Sequence, residues 1–249
     1  MRAQKSRQPA GAAVAGVRFT LAAQCWICGA LADSREHLVK ASDLRLFFGD
    51  VSPCKPLHLH HDNRRNIKIY SAKSNKLKTS KVICRRCNDT DTSNYDEAWS
   101  RLIRALHRDW QTIKITRRFK LQRAFPGTSS KQALNCHLFF VKLFGCRIVD
   151  EKMPIDVTPF AFSLRSATPH PTMFLTFNAR NLPEKKLRYA GVSAVEGHER
   201  FGVCTMASWY YTLAELDVQV TWFNAPPVRN VPYAWHPSKS GKILKFRPR

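Results

Sequence analysis

Four cysteines in two Cys-x-x-Cys pairs are the residues of this chain whose spacing most directly indicates chemistry. The first pair is Cys25 and Cys28, and the second is Cys84 and Cys87. Four thiolates are the number that a closed tetrahedral zinc site takes, and the short spacing within a pair lets both sulfurs face one ion. The alternative interpretation is two disulfides or unrelated thiols. The repeated spacing favours a structural zinc site.

Polar residues that could do hydrolytic chemistry stand beside these pairs. Glu36 and His37 follow the first pair closely, and Asn88 comes directly after the second pair. A zinc ion held by both pairs would bring Asn88 toward the segment that carries Glu36 and His37. Holding polar groups from distant parts of the sequence in one place is what a hydrolytic site requires.

The order Cys-x-x-Cys, Glu-His with Lys40 after it, then Cys-x-x-Cys-Asn resembles the zinc-stabilised branch of the HNH endonucleases, over roughly residues 25 to 110. The resemblance implies a ββα-metal core, in which two strands and a helix surround one catalytic divalent ion such as Mg²⁺. It implies that His37 is the general base and that Glu36 and Asn88 are ligands of that ion. Asn88 stands where many members carry a His, and Asn75 is the candidate for the central Asn of the family.

The charge of the chain points to a polyanionic partner. Its 41 Lys and Arg residues against 18 Asp and Glu residues leave a net charge of +23. Such a field attracts phosphodiester polymers and speeds encounter with them, so DNA is the expected partner, although a basic surface can also serve solubility alone. The cations predicted to contact nucleic acid are Lys40, Arg64, Arg65, Lys78, Arg85, Arg86, Arg101 and Arg104.

Three functions are consistent with these features. The first is a metal-dependent endonuclease that hydrolyses phosphodiester bonds in DNA. The second is a zinc-stabilised protein that binds nucleic acid without cutting it, and the third is a structural or assembly protein that uses zinc only to fold. The pair Glu36-His37 favours the endonuclease, because neither rival function needs it beside the first cysteine pair.

Hydrophobic periodicity predicts an α+β chain. Helical spacing after Asn94 gives an apolar face, which comprises Tyr95, Ala98, Trp99, Leu102, Ile103, Leu106 and Trp110. A second, buried helix is predicted to begin at Ser129 or Ser130 and to stop at Gly145. Strands are predicted over 157–164, 172–178, 187–195, 201–207 and 218–222, and their succession favours antiparallel pairing.

These elements suggest four segments. Residues 1–20 are predicted to be a basic, disordered leader, and 21–125 an HNH-like zinc and ββα-metal nuclease domain. Residues 126–225 are predicted to form an α+β domain of unknown role, and 226–249 a basic, Pro-rich tail on the surface. A cation-rich insertion over 46–80 is expected to grip phosphates. The low cysteine density favours a reducing cytoplasm, and no stretch reaches the apolar length of a membrane span.

Overall fold

The computed structural model describes residues 23–61, 64–180, 189–227 and 231–248. The predicted leader 1–20 lies outside these residues, as do the side chains of Arg64 and Arg65. The helices are α1 (Ala41–Phe48), α2 (Ser93–Arg108), α3 (Trp110–Thr116), α4 (Ser129–Asp150) and α5 (Thr158–Ser166). The strands are β1 (Leu57–His61), β2 (Arg64–Ile69), β3 (Arg118–Lys120), β4 (Met173–Ala179), β5 (Ala190–Val192), β6 (Glu196–Arg200), β7 (Val203–Leu213), β8 (Leu216–Phe223) and β9 (Ile243–Pro248). The chain is therefore of the mixed α+β class.

The main sheet has seven strands. Its hydrogen-bonded order is β3-β9-β4-β8-β7-β5, and β6 also pairs with β7. Every pairing is antiparallel except that of β4 with β9, which is parallel. A separate hairpin, β1 with β2, occupies part of the predicted insertion. The prediction of antiparallel strands in the second half of the chain is confirmed for β4, β7 and β8.

Two predicted elements of the second half are wrong. The segment predicted as a strand over 157–164 is α5, because Pro159 suits a first helical turn and Asp156 accepts a hydrogen bond from the Thr158 main-chain N–H (2.9 Å). The predicted surface tail contains β9, in which Leu244 and Phe246 are buried. Apolar residues two apart in an otherwise basic run place one face of β9 against the core.

The amphipathic helix α2 packs on the buried helix α4. The predicted apolar face of α2 is buried from Tyr95 to Leu106, as expected. Trp99 stacks on Phe139 of α4 with ring centroids 5.3 Å apart, and Tyr211 of β7 meets Phe140 edge-on at 5.8 Å. Helix α4 thus contacts both α2 and the core face of the sheet.

Gly145 does not end α4, which continues to Asp150. A Cβ at this position would lie 2.6 Å from Cζ2 of Trp26, so the glycine lets the indole rest directly on the helix. The indole Nε1 also donates to Sγ of Cys146 at 3.4 Å. Since Trp26 lies between Cys25 and Cys28, this contact docks the first cysteine pair onto α4.

The buried residues form one hydrophobic cluster that extends from Cys25 to Phe246. Residues from both predicted domains, 21–125 and 126–225, belong to it, and the division between them stays a prediction. Within the described residues, no helix combines the length and apolar character needed to cross a membrane.

Candidate metal centre and the adjoining polar site

The first cysteine pair sits in a tight turn. The Cys25 main-chain N–H donates to the Ala30 carbonyl (2.7 Å), and Gly29 donates back to the Cys25 carbonyl (2.8 Å). Gly29 has φ of 78°, a left-handed conformation that glycine adopts without steric cost. The turn therefore folds Cys28 back toward Cys25.

The second pair lies at the start of a π-helical turn, Arg86–Asp91, that leads into α2. The Cys87 main-chain N–H donates to Sγ of Cys84 at 3.4 Å. The two turns are joined directly, because the Trp26 main-chain N–H donates to the Val82 carbonyl at 3.3 Å.

All four sulfurs meet between the two turns. The sulfurs of Cys25, Cys28, Cys84 and Cys87 lie within 4.8 Å of one another. Sγ of Cys28 is 3.7 Å from Sγ of Cys84, close to the edge of about 3.8 Å that a tetrahedron with zinc–sulfur bonds of about 2.3 Å would have. The group could therefore hold a metal ion such as zinc, as the sequence predicts. The remaining cysteines are outside it: Cys136, Cys146 and Cys204 are buried, and Cys54 is exposed.

The environment affects the four thiols differently. A hydrogen bond from the Ala30 main chain lowers the pKa of Cys28, which favours its thiolate. Burial raises the pKa of Cys84 and of Cys87. A bound metal ion would offset the effect of burial on these two pKa values, because the cysteines bind it as thiolates and release their protons.

Asn88 reaches from the second pair to the segment that carries Glu36 and His37. Its Nδ2 donates to Oγ of Ser34 (3.0 Å) and is 3.4 Å from the Arg35 carbonyl. The Ser34 main-chain N–H also donates to the Ile83 carbonyl at 2.9 Å. The structure thus brings Asn88 beside this segment, with its amide hydrogens directed at protein groups.

Glu36 is buried, with 7 % of its surface exposed, and both of its carboxylate oxygens are engaged. Oε1 accepts the main-chain N–H of His37 at 2.8 Å. Oε2 forms an ion pair with Lys142 and lies 2.6 Å from its Nζ. Burial raises the pKa of Glu36, and the ammonium of Lys142 opposes that shift.

Lys142 is a buried cation that the sequence analysis missed. Its Nζ donates to Oδ2 of Asp96 at 2.9 Å as well as contacting Glu36. Burial by itself lowers the pKa of Lys142, but the two carboxylates outweigh it and raise the pKa above its usual value. A lysine inside the apolar run of α4 was the available signal, because lysines are almost never fully buried unless paired.

His37 is half-buried and sits opposite Lys78 in a short antiparallel bridge. Its Nε2 is shielded from solvent and has no hydrogen-bond partner among the residues that the structure describes. Burial, followed by the charges of Lys78 and Lys142, lowers the pKa of His37 to about 4. The imidazole is therefore neutral at pH 7.

The other predicted site residues occupy different surroundings. Asn75 is exposed at the start of the short helical turn Asn75–Leu77, which leads into Lys78. Lys40 is committed to Asp96, with Nζ 3.1 Å from Oδ1, and Arg101 is half-buried and contacts the Ala124 carbonyl. The exposed predicted cations are Arg85, Arg86 and Arg104.

The residues predicted for a catalytic divalent ion do not fit one as they stand. Glu36 uses both oxygens on protein groups, and Asn88 directs its amide nitrogen toward Ser34. The four cysteine sulfurs, in contrast, lie close enough together that they could hold a metal ion such as zinc. Comparisons with protein-family models, with curated proteins and with solved structures returned no match to this chain.

Proposed function

We propose that the chain is a zinc-stabilised hydrolase of the HNH type that cleaves phosphodiester bonds in DNA, with zinc on the four cysteines and His37 as the general base. The observation that carries the proposal is the position of His37 opposite Lys78, with its Nε2 free of any hydrogen-bond partner among the described residues. A neutral imidazole can accept a proton, which is the task of a base.

Nε2 of His37 is the buried nitrogen that would accept the proton in this proposal. A buried polar atom left without a hydrogen bond costs about 1–3 kcal/mol, and such atoms in proteins call for a specific explanation. A water molecule positioned for attack would satisfy the nitrogen. Nε2 is shielded from solvent, and the proposal requires that this water reaches it when the substrate binds.

The proposed step transfers one proton at His37. Nε2 takes a proton from water as its oxygen bonds to phosphorus, the bond from phosphorus to the leaving oxygen breaks, and solvent protonates that oxygen. Lys78 lies opposite His37, and its positive charge would attract the phosphate. No divalent ion takes part in this step, because Glu36 and Asn88 do not fit one.

A second candidate is a nucleic-acid-binding protein that does not cleave. The engagement of Glu36 with Lys142 favours it, because a site without a free carboxylate lacks the usual ligand of a catalytic divalent ion. The net charge of +23 supports binding in either case.

The test is a plasmid-nicking assay on zinc-loaded protein, alongside gel retardation at several salt concentrations. We expect nicked product together with retardation that weakens steeply as salt rises. Retardation without nicking, in buffers with and without Mg²⁺, would contradict the hydrolase and support the second candidate. Weak retardation at low salt would contradict both the hydrolase and the nucleic-acid-binding protein. The role of zinc would then be to stabilise the fold alone.

A further inference from the structure

A buried ammonium occupies the position where the sequence suggests a divalent ion. Lys142 extends from α4 and is 1 % exposed. Its Nζ lies 2.6 Å from Oε2 of Glu36, 2.9 Å from Oδ2 of Asp96 and 3.4 Å from the main-chain oxygen of Asn88. Two of these three residues, Glu36 and Asn88, are the predicted ligands of the catalytic ion.

The three oxygens come from separate parts of the chain. Glu36 follows the first cysteine pair, Asn88 follows the second, and Asp96 lies in the first turns of α2. Several oxygen atoms directed at one point can bind a cation, and here the cation that they bind is the ammonium group of Lys142. Asn88 contributes its main-chain carbonyl, while its side-chain amide is turned toward Ser34.

The charges in this cluster already balance. Asp96 also accepts Nζ of Lys40, at 3.1 Å to Oδ1 and 2.7 Å to its main-chain oxygen. Two carboxylates, Glu36 and Asp96, therefore face two ammonium groups, Lys142 and Lys40. A divalent cation added here would leave a net charge of +2 in a mostly buried site, which is strongly unfavourable.

We infer that Lys142 is the resident cation of this site, that it excludes a divalent ion from Glu36, and that phosphodiester cleavage by this chain does not require one there. The statement about cleavage rests on the proposed function; the statement about ion exclusion does not. Lys142 acts through Glu36, on the segment that carries His37, and is therefore a positioning residue.

Mn²⁺ binding to the zinc-loaded full-length chain tests ion exclusion directly, by the loss of the EPR signal of free Mn²⁺. We expect wild type and Glu36→Gln to give the same isotherm. Lys142→Met should bind one Mn²⁺ more than Glu36→Gln/Lys142→Met, because removal of the ammonium leaves two carboxylates that can take a divalent ion. Mn²⁺ lies below Zn²⁺ in ligand affinity and does not displace it from the cysteines.

The matched controls are Lys131→Met, an exposed lysine of α4, and Glu97→Gln, an exposed carboxylate of α2; both should bind Mn²⁺ like wild type. A wild-type Mn²⁺ site that Glu36→Gln removes would overturn the inference. Equal Mn²⁺ uptake by Lys142→Met and the double variant would also contradict it. If Lys142→Met does not fold, the comparison of wild type with Glu36→Gln decides by itself.

Plasmid nicking by wild type with and without Mg²⁺, in buffer freed of other divalent ions except zinc, completes the test. We expect the two rates to agree within about twofold. Cleavage that requires Mg²⁺, with a Mn²⁺ site that depends on Glu36, would overturn the inference and leave the hydrolase standing. No cleavage in either buffer would instead defeat the proposed hydrolase, while the Mn²⁺ isotherms still decide ion exclusion.

Discussion

At the residue scale, Asp43 shows how one buried carboxylate joins three elements near the polar site. It lies in α1 with 1 % of its surface exposed. Its Oδ2 accepts hydrogen bonds from Nε1 of Trp99 and from the hydroxyl of Tyr211, each at 2.7 Å. Burial raises the pKa of Asp43, and these two donors oppose the shift. Asp43 therefore links α1 to both α2 and β7.

Asp43→Ala should lower the free energy of unfolding by about 2–5 kcal/mol, because it leaves two buried donors without an acceptor. Urea unfolding of the zinc-loaded protein measures this. Asp43→Asn is the matched control, since an amide oxygen in the place of Oδ2 can accept both bonds, and it should cost much less. If the two variants lose the same free energy of unfolding, the hydrogen bonds that Oδ2 of Asp43 accepts from Trp99 and Tyr211 do not provide the stabilisation.

At the element scale, the junction between the first cysteine pair and α4 depends on a glycine. Alanine inside a helix is normally more favourable than glycine by roughly 0.5–1 kcal/mol. At Gly145 the added methyl would meet the indole of Trp26, with Cβ 2.6 Å from Cζ2. The steric clash with Trp26 should outweigh the helix preference for alanine. A decrease in the free energy of unfolding would therefore identify the close contact between Gly145 and Trp26.

Gly145→Ala should destabilise the protein by about 1–3 kcal/mol, as overpacking of a core does, and should speed zinc release to a chelating dye. Urea unfolding and the release rate measure the two effects. In a Trp26→Leu background the same substitution should cost less, because the smaller side chain leaves room. A Gly145→Ala protein more stable than wild type would refute the close contact.

The sequence predicts elements whose signals are local. The two Cys-x-x-Cys pairs can be recognised from their spacing in the sequence. The apolar face of α2 can be predicted from the helical spacing of its hydrophobic residues. The pairing of Lys142 with Glu36 joins residues far apart in the chain, and no local pattern encodes it. The pairing of β9 with β4 also joins distant parts of the chain. The basic composition of 226–249 gave no indication of a buried strand there. Gly145 misleads because a glycine near the end of an apolar run is also typical of a helix terminus.

At the scale of the whole molecule, three buried histidines join α4 to the sheet region. The His170 main-chain N–H donates to Nε2 of His137 (3.2 Å), and Nε2 of His236 is 3.0 Å from the His170 carbonyl. Burial lowers the pKa of all three, that of His170 to about 4. In the unfolded chain a histidine has a pKa of about 6.5 and binds protons that the folded state excludes.

The contribution of these histidines to the free energy of unfolding should therefore be fully present above pH 6.5. It should fall as the pH drops toward about 4, where the folded-state pKa of His170 lies. Acid also protonates the cysteine thiolates, so a single curve cannot separate the two causes. His170→Gln should show a shallower loss of unfolding free energy between pH 7 and pH 5 than His198→Gln, the control at an exposed position of β6. Identical slopes would contradict a role for the buried histidines.

We propose His37 as the base of a phosphodiester hydrolase, and the nicking rate of zinc-loaded His37→Ala tests that role. The control is His107→Ala, which removes an exposed histidine of α2. We expect the nicking rate of His37→Ala to fall at least about a hundredfold, as it does on loss of a general base, while the variant keeps its zinc and its affinity for DNA. His107→Ala should cut like wild type. A His37→Ala protein that nicks at the wild-type rate would show that His37 is not the base.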